Sequence, residues 1–289
     1  MLWLEQLVSG VSVGAVYALI ALGYTMVFGV LRLINFAHCD VMMVGAYIGY
    51  LCAVYLKTGF VLSAILSALG CAVLGLAIER FCYRPLRDAR GMPLMVVTLG
   101  VSLLLQYGVM LAFGAGARAY PSGFAGGVVQ IGGVSIASSK LYALILCLVL
   151  TAALQLMLTK TRAGRAMRAV ADDKTAAMLC GIRQQSTISL AFVMGCALAG
   201  VAGAVYGSMY LLSPLMGVTP GLKAFAAAVI GGIGSVPGAV LGGFALGLAE
   251  ALAGAVLGTA TRDVASFVLL IAFLLLRPGG IVGSKAGLD

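Results

Sequence analysis

Lys160 to Ser189, KTRAGRAMRAVADDKTAAMLCGIRQQSTIS, is a polar island between two long apolar runs. It carries six basic residues (Lys160, Arg162, Arg165, Arg168, Lys174 and Arg183) against two acids, in a chain where 9% of residues are charged. Lys and Arg next to apolar spans are held on the cytoplasmic side, so the island marks a cytoplasmic loop. A short helix is expected within it. Asp172 or Asp173 can cap its N-terminus, Ala176, Ala177, Met178 and Leu179 favour helix, and Gly181 can end it. A helix of about eight residues rises only ~12 Å, too little to span a bilayer but enough for a peg offered to a cytoplasmic partner.

The flanking runs set the fold class. The chain is 62% hydrophobic, well above the roughly 45–50% of soluble domains. An all-α, polytopic helical membrane protein is expected, with about eight transmembrane helices. They fall near 7–30, 41–56, 61–78, 94–113, 141–158, 188–212, 237–257 and 264–276, in one transmembrane domain over 1–289 with a cytoplasmic loop at about 160–187. The 41–56 and 264–276 spans are short of the ~20 residues usually needed, so either their ends extend or one is re-entrant. A broken, re-entrant helix is expected near 223–237, because Lys223 to Gly232 is too short for an ordinary span and ends in GGIGSVPG.

Arg80, Arg84, Arg87 and Arg90 mark a second basic loop, two spans before the island and therefore on the same side. Three spans before Arg80 put the N-terminus outside. Gly114 to Lys140, rich in Gly and Ser with two charges, suits an external loop. Beyond Leu212 the parity is open: Arg277 and Lys285 favour an inside C-terminus, whereas eight full spans put it outside. Small residues one turn apart (Gly10/Gly14, Gly45/Gly49, Gly203/Gly207, Gly238/Gly242, Gly243/Gly247) predict close helix packing without saying which helices meet.

Several function classes drop out. The net charge of +9 sits beside apolar runs, where orientation and anionic headgroups explain it and nucleic acid does not. Seven cysteines without C-x-x-C spacing read as small buried hydrophobes. Residues 1–6 lack the basic n-region of a cleavable signal peptide. One histidine is too few for a metal centre or a Ser/His/Asp or Cys/His catalytic cluster, so no metal and no enzyme activity are expected. No G-x-x-x-x-G-K-[ST] occurs, and Gly283-Ser284-Lys285 fails the pattern, so neither nucleotide nor other cofactor is expected.

Three places could carry function. Between the first two runs lie Asn35, His38 and Asp40. At membrane depth they would be costly and functional, whereas at the interface they would cap helix ends. The Gly-rich break Ile230 to Ala239, with Gly231, Gly232 and Gly234, reads as a broken helix at a transport path or a subunit contact. Glu250 lies well inside an apolar run, either as a relay or as a paired acid in a cavity. Glu79 and Asp263 adjoin Arg80 and Arg262 and read as interfacial charges.

These pieces, in this order, resemble the branched-chain amino-acid ABC transporter permeases of the LivH type. YALIALGYTMVFGVLRLINFAHCDVMMVGAY (17–47) is similar to the family's N-terminal signature and GRAMRAVADDKTAAMLCGI (164–182) to its cytoplasmic loop. GGIGSVPGAVLGG (231–243) and LLRPGGIVG (275–283) are similar to its closing motifs. Thr175-Ala176-Ala177-x-x-x-Gly181 matches the pattern Glu-Ala-Ala-x-x-x-Gly with Thr at the acidic position, and the resemblance makes Asp173, Thr175, Ala176, Ala177 and Gly181 an ATPase-coupling helix. Cys39 departs from the family's usual Gly after the His, which puts a tight turn there in doubt.

The resemblance implies the membrane subunit of an ABC importer in a bacterial inner membrane, carrying branched-chain or other hydrophobic amino acids. Its implied partners are two cytoplasmic ABC ATPase subunits, a second homologous permease subunit and a periplasmic solute-binding protein. Asn35, His38, Asp40, Glu250, Gly231, Gly232 and Gly234 are then pathway or gating candidates. The competing class is an ion-gradient-driven secondary transporter of a small solute, with Glu250 or Asp40 as the coupling residue.

Overall fold

The computed structural model describes residues 2–31, 35–86, 92–121, 124, 126–131, 134–277 and 279–282. Arg32, Arg87, Arg90 and residues 283–285 of the sequence reading lie outside these. Within the described residues the helices are α1 (Leu2–Leu31), α2 (His38–Tyr55), α3 (Phe60–Ile78), α4 (Met92–Phe113), α5 (Ser138–Lys160) and α6 (Arg162–Asp172). They continue with α7 (Lys174–Leu179), α8 (Gln184–Met209), α9 (Val218–Gly231), α10 (Val236–Leu257) and α11 (Arg262–Leu276). Among the described residues, eight helical stretches are long and apolar enough to cross a membrane, and α9 is a shorter apolar helix besides. A small antiparallel hairpin, β1 (Val128–Ile131) and β2 (Val134–Ala137), lies between α4 and α5.

The centre of the bundle is α1. Ala15 to Leu22 are all buried, as a helix apolar on every side must be, and α8, α9, α10 and α5 pack around it. The α1–α10 contact is made by glycines from both helices. A Cβ on Gly14 would stand 2.9 Å from the Gly243 carbonyl oxygen, and one on Gly243 would stand 2.6 Å from the Ala18 nitrogen. The sequence flagged both pairs of small residues; the fold shows that they meet each other.

Three differences from the sequence reading have physical causes. The last span gains a 3₁₀ turn and runs Thr259–Leu276, so it lengthens rather than re-enters. The polar island contains two helices, not one. In α6, Thr161 caps the first turn by accepting from the Gly164 N–H at 3.1 Å. Gly164, Met167 and Val170 turn inward while Arg162, Arg165 and Arg168 face out, an amphipathic stripe obscured by its own charge density.

The third difference lies around α9. The expected Gly-rich break is present at 232–235, between α9 and α10, and a second irregular stretch precedes the helix. Tyr210 to Gly217 runs as irregular chain into the protein, with Leu212 fully buried against Met43, Tyr47 and Met216. Arg118 and Leu212 exchange backbone hydrogen bonds of 2.8 and 2.9 Å. Such backbone is tolerated at membrane depth only where protein surrounds it.

The ends of the helices settle the open parity. Gln6, Tyr210, Glu250 and Arg262 border one cavity at one end of the bundle. Val30, Leu158, Arg168 and Gly234 border another at the end that carries basic α6. The descent of 210–217 and α9 therefore makes an extra passage, and α10 and α11 follow as an antiparallel pair. The chain after α11 returns to the α6 end, where the Ile281 and Val282 N–H groups donate to the Ile230 and Gly231 carbonyls at 2.8 and 3.1 Å. With α6 cytoplasmic, the N-terminus is outside and residues 279–282 are inside.

Candidate functional site

Two helices begin inside the bundle rather than at its surface. The His38 ring lies against Gly23 of α1, eight residues or ~12 Å before that helix ends. A Cβ on Gly217 would stand 3.0 Å from the Cys39 carbonyl carbon, and one on Gly221 would stand 2.7 Å from the Cys39 Cβ. The N-termini of α2 and α9 thus meet at depth, each carrying the partial positive charge of a helix start. Discontinuous helices of this kind form the midplane sites of many transporters.

At this junction Asp40, in the first turn of α2, is buried. The Ser102 hydroxyl donates to Asp40 Oδ2 at 2.5 Å and Gln106 Nε2 donates to Oδ1 at 2.9 Å, both from α4. No cation pairs with Asp40 among the described residues. Two helix dipoles and two neutral donors hold it instead. His38 is fully buried 4.7 Å from the Tyr24 ring. Its ring nitrogens lack a hydrogen bond of ordinary geometry among the described residues, with only a weak interaction with the Ile20 backbone. Asn35 is a brace: its Oδ1 accepts from the Ala37 N–H at 3.0 Å and the Tyr83 hydroxyl at 2.7 Å. Cys39 occupies a helical position, so no tight turn is needed there. Its thiol sits 2.9 Å from the Tyr24 hydroxyl and fills the space above Gly221.

A second cluster hangs on Tyr17, two turns or ~10 Å along α1 from Tyr24. Glu250 of α10 is buried and accepts from the Tyr17 hydroxyl at 3.0 Å and from the Ser266 hydroxyl. Lys223 of α9 completes its shell at 2.8 Å and also bonds Asp263 at 2.7 Å. The Lys223 ammonium stands 5.7 Å from the Tyr17 ring centre. Sequence reading found Glu250 and missed Lys223, its buried partner. The usable signal was there: a lone Lys among Ala and Gly residues of an apolar segment, matching a lone Glu 27 positions on.

The other candidates separate from these two clusters. Gly231 packs backbone to backbone on Gly238 in the α9–α10 turn, and Gly232 and Gly234 adopt φ of 103° and 95° there. All three lie at the α6 end. Their chemistry is that of a tight turn closed by Ser235, whose hydroxyl accepts from the Gly238 N–H at 3.2 Å. Glu79 is buried and accepts from the Ser189 hydroxyl at 2.8 Å, so it is not the interfacial charge expected beside Arg80. It begins a π-helical turn, Glu79–Tyr83.

At the α6 end, Asp173 rather than Asp172 caps α7, accepting from the Thr175 and Ala176 N–H groups at 2.7 and 3.0 Å. Gly181 ends the turn with φ 79°, the left-handed value that glycine adopts without strain. Thr175 and Ala176 face out, whereas Ala177 points inward and is 3% exposed. The presented face is Met178 and Leu179, the latter 86% exposed.

Comparison with known proteins agrees with this architecture. Residues 6–276 match the family model described as branched-chain amino acid transport system / permease component. The chain is 41% identical to the high-affinity branched-chain amino acid transport system permease protein BraD of Pseudomonas aeruginosa, over 97% of this chain and 96% of the relative. Against the LivH protein of Escherichia coli K12, also named a high-affinity branched-chain amino acid permease, identity is 41% with the same coverage. A probable LivH of Methanocaldococcus jannaschii is 30% identical over 92% of this chain and 88% of its own length. No solved structure matches with significance. With eight membrane-length helices and a family match over nearly its whole length, the chain belongs to the permease components of branched-chain amino acid transport systems.

Proposed function

We propose that this chain is the membrane-spanning subunit of an ABC importer that carries branched-chain or other hydrophobic amino acids across a bacterial inner membrane. Two cytoplasmic ATPase subunits supply the energy, a second homologous permease completes the passage, and an external solute-binding protein delivers the cargo. The observation that carries this reading is α7. A capped helix of six residues, Lys174–Leu179, follows basic α6 and offers Met178 and Leu179 to solvent. An apolar tip on a rigid, non-spanning helix suits a socket on another protein.

The cargo's route is assigned to the α2–α9 junction, with Asp40, His38 and Asn35 at its wall, and to the Glu250 cluster beyond it. Gly231, Gly232 and Gly234 act in this reading as the tight cytoplasmic turn of the moving α9–α10 pair. The test is reconstitution in proteoliposomes with the ATPases, the second permease and the binding protein. ATP-dependent leucine uptake is the expected result. Uptake by the chain alone under a proton gradient, with no ATP requirement, would place it among secondary transporters instead.

A further inference from the structure

At the outer end of the bundle, α1, α8, α9, α10 and the start of α11 enclose a cavity of about 210 Å³. Pockets for drug-sized ligands run to roughly 300–1,000 Å³, so this one suits a molecule of a few carbons. Its inner end holds Lys223 and Glu250, its mouth Asp263 and Arg262, and its apolar wall Val13, Pro220 and Ala251.

The two acids are not equivalent. Glu250 is buried and bonded by Tyr17, Ser266 and Lys223, so it neutralises the lysine by itself. Asp263 also bonds Lys223, yet its side chain is 62% exposed. The second carboxylate is surplus to the buried pair and stands where a ligand would enter. Arg262 beside it also borders the cavity and forms no ion pair among the described residues, its Nε being buried over Gly254.

We propose that this cavity is an entry station for a zwitterionic aliphatic amino acid, which inserts into the Lys223–Asp263 ion pair. The ligand's carboxylate replaces Asp263 on Lys223, with the Arg262 guanidinium at the mouth adding positive charge, while its ammonium bonds Asp263. Lys223, Asp263 and both charges of the ligand each have an opposite partner once it is bound, as a low-dielectric site requires. The aliphatic side chain then lies on Val13, Pro220 and Ala251. From the importer reading the assignment takes only the chemical class of the cargo.

The experiment places a cysteine at Thr219, an exposed residue of the cavity wall, with Cys82 and Cys180 replaced because the other cysteines are buried. The full chain is held in lipid nanodiscs and labelled with an impermeant methanethiosulfonate. L-Leucine should slow labelling. Isopentylamine and 4-methylpentanoate, each bearing one of its two charges, should protect at least tenfold less well. Asp263→Asn should raise the half-protecting leucine concentration at least tenfold without altering the rate in its absence, and Asp263→Glu should keep protection. Failure of leucine to protect, equal protection by either analogue, or unchanged protection in Asp263→Asn overturns the station. Leucine uptake by the reconstituted complex is scored separately. Uptake without protection sinks the station alone, and protection without uptake sinks the importer reading alone.

Discussion

Lys223 and Glu250 neutralise each other where neither could stay charged alone. Removing one partner of such a buried pair leaves an uncompensated charge, at a cost of about 3–5 kcal/mol. Lys223→Met should therefore lower the midpoint of thermal unfolding in detergent markedly. The double variant Lys223→Met, Glu250→Gln should recover most of the loss, since Tyr17 and Ser266 can still bond the neutral amide. A double variant as unstable as the single one would show that the pair is not what holds α9 to α10. Asp40 presents the opposite case, a carboxylate held by neutral donors and helix ends. Asp40→Asn replaces one acceptor oxygen with a donor facing Ser102 or Gln106. Leucine uptake by the assembled complex should fall at least fivefold while the complex still assembles. Wild-type uptake in Asp40→Asn and in His38→Ala would make the junction structural.

The helices divide into those that span and those that do a local job. α7 is the clearest of the second kind, and its geometry changes how it should be tested. Ala177 faces the protein, so Ala177→Arg unseats the helix, and Gly181→Val forces a β-branched residue into φ 79°. Both variants should insert yet lose substrate-stimulated ATP hydrolysis. Leu179→Glu is the sharper probe because Leu179 supports nothing within the chain. It should leave unfolding unchanged and abolish co-purification of the ATPases, and retained co-purification would remove α7 from the contact. α2 and α9 both start inside the bundle, α2 long enough to cross and α9 shorter. Their shared junction puts the Asp40 site at one end of α9 and the α9–α10 turn at the other.

At the scale of the whole molecule the passage formed by 210–217 and α9 decides which side the C-terminus occupies. Cysteines placed at Arg168 and at Ile281 should both be shielded from impermeant external reagent in cells, whereas one at Thr259 should react. Labelling at Ile281 from outside, with Arg168 shielded, would return the count to eight passages. The sequence alone determined the class of fold, the basic loops beside the apolar runs and a short capped helix within the polar island. These depend on composition and on local signals, such as apolar length, Lys and Arg placement, an Asp cap and a Gly stop, that act within a few residues. It also singled out Asn35, His38, Asp40 and Glu250, because polar groups in apolar surroundings stand out without any structure. Only the tertiary structure paired Glu250 with Lys223, brought Ser102 and Gln106 to Asp40, and matched Gly10 and Gly14 to Gly243 and Gly247. Those contacts join helices distant along the chain, and membrane-spanning helices of similar composition look alike until packing fixes which faces meet. Packing likewise made a passage of the irregular 210–217 segment, whose backbone can lie at membrane depth only because neighbouring helices surround it.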